Sequence, residues 1–329
     1  MTQLARQKAR ATPGGQRPVL TWLALGIVYV VWGSTYLAIR IMVETVPPLL
    51  GAGLRFVVAG MLMLTVLTLR GRATRIPLAQ LGSCALVGTL LAAGGNGLVT
   101  VAEQDVPSGL AALLIASVPL FIVLYRTVAA DRPSGIGSAG VALGFCGVAV
   151  LLLPGGRPDG VPLGPSLLLL LAAASWAAGS FAAQRLPMPR DPLISTAWQL
   201  SCGGAVLVFA SPGEWGGLDP NAFSLRSIAA FAYLVLAGSL VAYTAYAWLL
   251  QHAPIARVAT YAYVNPLVAV ALGWAVLGEA VQPATLAGAT LIVASVALIL
   301  REAPGPRPPA PADAPAPRPG RPAPARSGP

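Results

Sequence analysis

Ten continuous apolar stretches, separated by short segments that hold most of the charged residues, take up nearly all of residues 20 to 300. They run near 20–39, 48–69, 78–99, 106–124, 136–153, 163–183, 192–210, 226–250, 254–277 and 283–300. About 20 apolar residues in helical form cross the hydrocarbon core of a bilayer, so each stretch predicts one spanning helix. Barrel strands would alternate polar and apolar positions over about ten residues. These runs are instead uniformly apolar and rich in Leu, Ala and Gly. Helices also satisfy every backbone amide within their own segment, which hydrocarbon demands. The first stretch is not read as a cleaved leader, because Arg40 and Glu44 follow it where small residues would be needed.

The ten stretches fall into two related sets. Val106-Pro107 opens a segment that reaches Pro119-Leu120, and Ala253-Pro254 opens one that reaches Pro266-Leu267 with the same spacing between prolines. The same offset carries upstream and pairs the third stretch with the eighth. Trp32-Gly33-Ser34 followed by Arg40 is echoed by Trp176, Gly179-Ser180 and Arg185. Gly140-Val141-Ala142-Leu143 is echoed by Gly288-Ala289-Thr290-Leu291. Internal repetition of this kind marks duplicated units. Five spans per unit is an odd number, so the second unit enters the membrane upside down. The predicted fold is therefore all-α and integral to the membrane, with ten transmembrane helices as two inverted five-helix repeats at 19–154 and 163–301. Residues 1–18 form a basic tail expected to be cytoplasmic. Residues 303–329, almost entirely Pro, Ala, Gly and Arg, form a tail expected to be disordered.

Composition agrees: 56% of residues are hydrophobic and only 10% charged, against about 25% charged in a soluble domain. A net charge of +10 would suggest nucleic acid in a soluble protein. Here its placement sets topology, since Lys and Arg collect on the cytoplasmic side. With the N-terminus inside, the inner loops hold Arg70, Arg72, Arg75, Arg126, Arg132, Arg185, Arg190 and Arg257, and both tails are basic. The outer loops hold Arg40, Arg157 and Arg226. Both termini are thus expected in the cytoplasm, and no nucleic-acid partner is expected.

Cys84, Cys146 and Cys202 lie inside spans without paired spacing and are expected as apolar packing residues, with neither disulfide nor metal implied. The chain holds one histidine, His252, and none of the motifs of metallopeptidases, serine hydrolases or nucleotide-driven pumps. No cofactor or metal is expected, and an intramembrane enzyme is disfavoured. A passive facilitator or channel is the alternative to a carrier.

Inverted repeats are a recurrent plan of secondary transporters, with the site near the midplane between halves. Polar residues inside spans are the candidates to line it. Asn96, Thr100 and Glu103 share one helix face, as do Tyr261 and Asn265 beside Thr260. Tyr243 and Tyr246 share another, as do Trp32, Thr35 and Tyr36 beside Ser34, and Trp176 with Ser180. Aromatic rings mixed with hydroxyls and amides suit a moderately polar organic solute. Interhelical hydrogen bonding or interface anchoring is the competing use of each. Glu103 is the candidate for proton coupling. Pro119 and Pro266 are expected to kink their spans. Arg55, about seven residues into the second span, either snorkels to the surface or meets solute. Asp131 and Glu279 are expected at the interface, and Gly140 and Gly144 at a close helix contact. The partners implied are a small-molecule substrate and the lipid bilayer, with a homodimer left open.

The segments Trp32 to Arg40, Gly95-Asn96-Gly97 through Val106-Pro107-Ser108-Gly109, and Tyr261 through Asn265-Pro266 resemble the drug/metabolite transporter superfamily. Within it they are similar to the ten-helix EamA-type family and its YedA-like bacterial members, over about residues 20 to 300. The resemblance implies a bacterial inner-membrane carrier working by alternating access, typically in efflux of amino acids or related metabolites. It also implies a central cavity from spans one, three, four, six, eight and nine, with five and ten peripheral. Many such proteins carry Gly-Glu near the end of the fourth span as well as the ninth. Here only Gly278-Glu279 is present.

Overall fold

The computed structural model describes residues 18–129, 135–153, 160–216, 219, 222–253, 255–258 and 260–302, and no strand occurs among them. Among the described residues, eight helices are long and apolar enough to cross a membrane: α1 (Val19–Met42), α2 (Pro48–Leu69), α3 (Leu78–Ala102), α4 (Ser108–Val128), α5 (Gly135–Leu152), α6 (Leu163–Ala183), α7 (Pro192–Ala210) and α8 (Leu225–Leu249). Two shorter apolar helices, α9 (Tyr261–Leu277) and α10 (Pro283–Ile299), complete the ten. Prolines open several of them, as Pro48 and Pro192 do within the first turn, where a missing N–H costs nothing. The tails at 1–17 and 303–329, and Asp131, lie outside the described residues.

Helix neighbours follow the inverted repeat. The pairs α2 with α7, α5 with α10, and α4 with α9 each join equivalent helices of the two halves. Other contacts come in related couples: α3 with α6 mirrors α8 with α1, and α3 with α7 mirrors α8 with α2. Small residues permit the closest approaches. A Cβ on Gly203 of α7 would stand 2.2 Å from the Gly88 carbonyl oxygen of α3, and one on Gly60 of α2 would stand 2.7 Å from the Ala197 carbonyl oxygen. Gly140 and Gly144 do make a close contact, and their partner is α10, where Ser295 Oγ donates to the Gly140 carbonyl at 2.6 Å. All three cysteines are free.

One expectation is corrected. The ninth span does not run unbroken from 254: a short turn of helix, Ile255–Val258, precedes α9. The fourth span is interrupted at Ala116 and Ser117, and Pro119 lies in the first turn of the segment that follows, Val118–Val128. Pro266 does lie inside α9. Three segments of π-helix were not anticipated: Val28–Trp32 in α1, Thr89–Gly97 in α3 and Leu234–Val241 in α8.

The two halves are fastened at the end of the bundle away from Pro18 and Glu302. Helices α2 and α4 begin after Pro47 and Pro107, and neither proline offers a side-chain cap. Their first amides are left without intrahelical acceptors. Glutamates of the other half supply them. Glu214 accepts from the amides of Leu49 at 3.1 Å and Leu50 at 2.8 Å. Glu279 accepts from the Ser108 amide at 2.8 Å, the Ser108 hydroxyl at 3.0 Å and the Gly109 amide at 3.1 Å. Gly278, at φ 66°, ends α9 in the left-handed region and turns Glu279 toward α4. Glu279 is thus a clamp between halves at the end of its span. Glu279→Ala should destabilise the protein by about 1–3 kcal/mol, read as a lower melting temperature in detergent with the helix content of the folded state unchanged.

Candidate functional site

The π-helical segments bring the polar candidates together. A π turn widens the helix and releases carbonyls from the i→i−4 ladder, and such turns gather at functional sites. In α8 the carbonyl of Gly238 accepts the Trp32 indole N–H at 3.2 Å, tying α1 to α8. The Trp32 ring then packs against three tyrosines of the second half. Ring centroids lie 5.2 Å from Tyr243, 5.1 Å from Tyr246 and 5.3 Å from Tyr261. Tyr246 and Tyr261 meet edge to face at 5.7 Å. Such pairs contribute about 0.5–1.5 kcal/mol each beyond area burial.

Asn265 lies one turn further along α9. In the amide orientation that satisfies its surroundings, Nδ2 donates to the carbonyls of Tyr29 and Tyr261, each at 3.3 Å. Tyr29 also shares a hydrogen bond with Thr260. Asn265 therefore couples α9 to the π segment of α1, with its donor directed at backbone.

Thr35, Thr100 and Asn96 spend their polar atoms locally, while Ser34 reaches the other half. Thr35 donates to the Trp32 carbonyl at 2.6 Å, and Thr100 to the Asn96 carbonyl at 2.8 Å. Asn96 Nδ2 reaches the Leu91 carbonyl, within the π segment of α3, at 3.3 Å. Ser34 shares a 2.6 Å hydrogen bond with Tyr233. Trp176 lies against Gly95 so closely that a Cβ there would stand 2.7 Å from its ring. Ser180 is half-buried on α6, and Tyr36 packs against the main apolar core. Trp176 against Gly95 thus joins α6 to α3, while Trp32, Tyr243, Tyr246, Tyr261 and Asn265 form a second group joining α1 to α8 and α9.

Arg55 does not snorkel. It is 3% exposed, and its Nε donates to Ser239 Oγ of α8 at 3.1 Å. Its guanidinium carbon sits 4.7 Å from the centre of the Phe56 ring. A Cβ on Gly238 would lie 3.3 Å from one terminal nitrogen of Arg55 and 3.1 Å from Thr35 Cγ2. Gly238 thereby joins Arg55 to the aromatic group through the Trp32 hydrogen bond.

Glu103, in the turn between α3 and α4, is fully buried, and neither carboxylate oxygen has a hydrogen-bond partner among the described residues. Arg40 donates to the backbone carbonyls of Glu103 and Gln104 rather than to the carboxylate. Burial pushes the Glu103 carboxyl well above the usual carboxylate range; Glu279 adds to this, and Arg40 and Arg55 oppose it. An apolar groove lined by Leu113, Val270, Trp274, Thr285 and Ala289 lies apart from both groups, between α4, α9 and α10.

Sequence reasoning named the aromatic residues but not Ser239 or Gly238, whose roles depend on the π segment of α8. Gly238-Ser239 carries no local signal that separates it from other small pairs in the spans.

The sequence profile of the EamA-like transporter family matches residues 20–153 and again 164–301. An "Uncharacterized inner membrane transporter YedA" of Escherichia coli (strain K12) is 41% identical over 279 residues, covering 84% of this chain and 89% of its own. A "Probable amino-acid metabolite efflux pump" of Salmonella typhimurium is 28% identical over 283 residues, covering 84% of this chain and 92% of its own. A crystal structure 20% identical in sequence shares the fold, with a TM-score of 0.58 over 85% of this chain and 96% of that one.

Proposed function

Because this chain belongs to the EamA-like transporter family, we propose that it is a secondary transporter that exports small metabolites, such as amino acids or related compounds, by alternating access. It is a multi-pass membrane transporter of that family. The observation that carries the finer reading is the aromatic group at the junction of the halves. Trp32 of the first half is held among Tyr243, Tyr246 and Tyr261 of the second. A site shared between inverted halves changes its exposure when the halves rock. The name of the Salmonella relative, an amino-acid metabolite efflux pump, supports the class of solute. The excess of Lys and Arg in the inner loops and tails supports an inner-membrane protein with both termini cytoplasmic.

The test is solute counterflow. Purified protein in liposomes preloaded with one unlabelled amino acid should show transient, saturable accumulation of the same labelled compound, over a panel of amino acids. Flux that is linear in concentration and shows no counterflow would replace the carrier with a channel.

Glu103 is the proton-carrying group in this reading. Glu103→Gln keeps the shape and fixes the neutral form, so flux should stop responding to a pH gradient while counterflow persists. Gradient-driven uptake equal to wild type would remove Glu103 from the coupling.

A further inference from the structure

We propose that the groove between α4, α9 and α10 is a phospholipid site, which seats one acyl chain of a bilayer lipid and offers the Thr285 hydroxyl to the ester carbonyl of that chain. The inference goes beyond the transport reading and does not rest on it. The groove is a cavity of about 210 Å³ lined by Leu113, Leu267, Val270, Trp274 and Ala289, together with Thr285. Helix α10 packs along α5 and meets α4 and α9 only sparsely, so the slot between them stays open. Trp274 and Leu267 are exposed, and in a spanning bundle such faces meet lipid.

Thr285 supplies the selective element. It is 6% exposed, yet its Oγ1 has no hydrogen-bond partner among the described residues. A threonine within a helix commonly returns its hydroxyl to the carbonyl four residues back, as Thr290 of the same helix does to Leu286 at 2.8 Å. Thr285 stands in the first turn of α10 and has no helical turn behind it. A buried hydroxyl without an acceptor is costly, and hydrocarbon supplies none. The occupant that relieves this cost carries an acceptor at one end and an apolar chain below it.

The depth of the groove identifies that occupant. From Leu277, where α9 ends, back to Leu267 is a rise of about 15 Å, half of the roughly 30 Å hydrocarbon core. The slot therefore runs the thickness of one leaflet, from the level of the glycerol esters to the midplane. Thr285 and Trp274 lie toward the ester end, where indole rings settle in membranes. A helix of a second copy, about 10 Å across, is too broad for a cavity of this volume.

Native mass spectrometry of the detergent-solubilised protein, titrated with dioleoyl phosphatidylcholine and with its dioleyl ether analogue, tests the carbonyl directly. One diester lipid should be retained, and the diether should bind about 3- to 10-fold more weakly. Thr285→Val keeps the shape, removes the donor and should lower the diester to the level of the diether. In vesicles of the diether doped with a diester brominated on its chains, quenching of the emission that Trp274→Phe removes should exceed the mole fraction of dopant. The wild-type comparison needs no variant, so a folding defect cannot decide the outcome. Equal retention of diester and diether, a preference that survives in Thr285→Val, or quenching of Trp274 merely in proportion to the dopant would each overturn the assignment. Disulfide-linked dimers of Leu286→Cys would give the groove to a second copy instead.

Discussion

Replacing Gly203 with valine is expected to leave little folded protein. A Cβ at this position of α7 would stand 2.2 Å from the Gly88 carbonyl oxygen and 2.8 Å from the Ala92 Cβ, both on α3. The first obstacle is backbone and cannot rotate away, so the two helices must separate. Overpacking costs roughly 1–3 kcal/mol or more. Here the displaced contact also carries the α7 surface that faces α2, where Gly204 meets the Gly53 carbonyl at 2.8 Å from an added Cβ. Size-exclusion chromatography of detergent-solubilised protein should show the monodisperse peak lost for Gly203→Val. Gly82→Ala, on α3 where an added Cβ meets nothing within 4 Å, should behave as wild type. A normal peak for Gly203→Val would mean that α3 and α7 are not so closely apposed.

Trp32→Ala should have the second-largest effect. It removes a ring that touches three tyrosines and a hydrogen bond to the Gly238 carbonyl. Truncating a packed tryptophan costs about 3–5 kcal/mol, which should appear as a large drop in melting temperature. Trp32→Phe keeps much of the ring contact and loses the N–H, so it should cost about 1 kcal/mol. Counterflow measured at matched folded protein should fall in both. Leu298→Ala on α10, away from the aromatic group, should retain wild-type affinity. Unchanged melting of Trp32→Ala would show that the aromatic group does not hold α1 against α8 and α9.

How far these features could be read from the sequence depends on their range. Helices α2, α6 and α7 begin and end where the apolar runs do, at 48–69, 163–183 and 192–210, because hydrocarbon leaves no other home for such runs. The repeat was legible from matched prolines and glycines, and the helix contacts obey it. The start of α9 was not, because the apolar pattern runs through the break at 260 without a change in composition.

The π segments were invisible for a related reason. Thr89–Gly97 is rich in small residues and Val28–Trp32 in β-branched ones, and no common sequence mark joins them. Partnerships between halves were the least accessible. Glu279 and Ser108 are 171 residues apart, and Arg55 and Ser239 are 184. Span position alone placed Glu279 at the interface and left Arg55 undecided. Asn96 and Thr100 were placed on one face by α-helical spacing, yet Asn96 lies in a π segment and both side chains turn to their own helix backbone.

The glutamate clamps make the mechanics of the bundle lopsided. At their end, parting the halves strips two carboxylates of five donors and bares the first turns of α2 and α4 together. At the opposite end the described ion pair between halves joins Arg72 to Asp191, with side chains 50% and 27% exposed, and water and salt reduce such a pair to about 0–1 kcal/mol. Hydrogen bonds to a charged acceptor contribute about 1.5–3 kcal/mol each, while at the Arg72 end the halves meet through the apolar cluster of Met63, Leu64 and Leu67 with Ile194 and Ala197. Rocking of the halves would therefore cost charge-assisted hydrogen bonds at one end and apolar contact at the other.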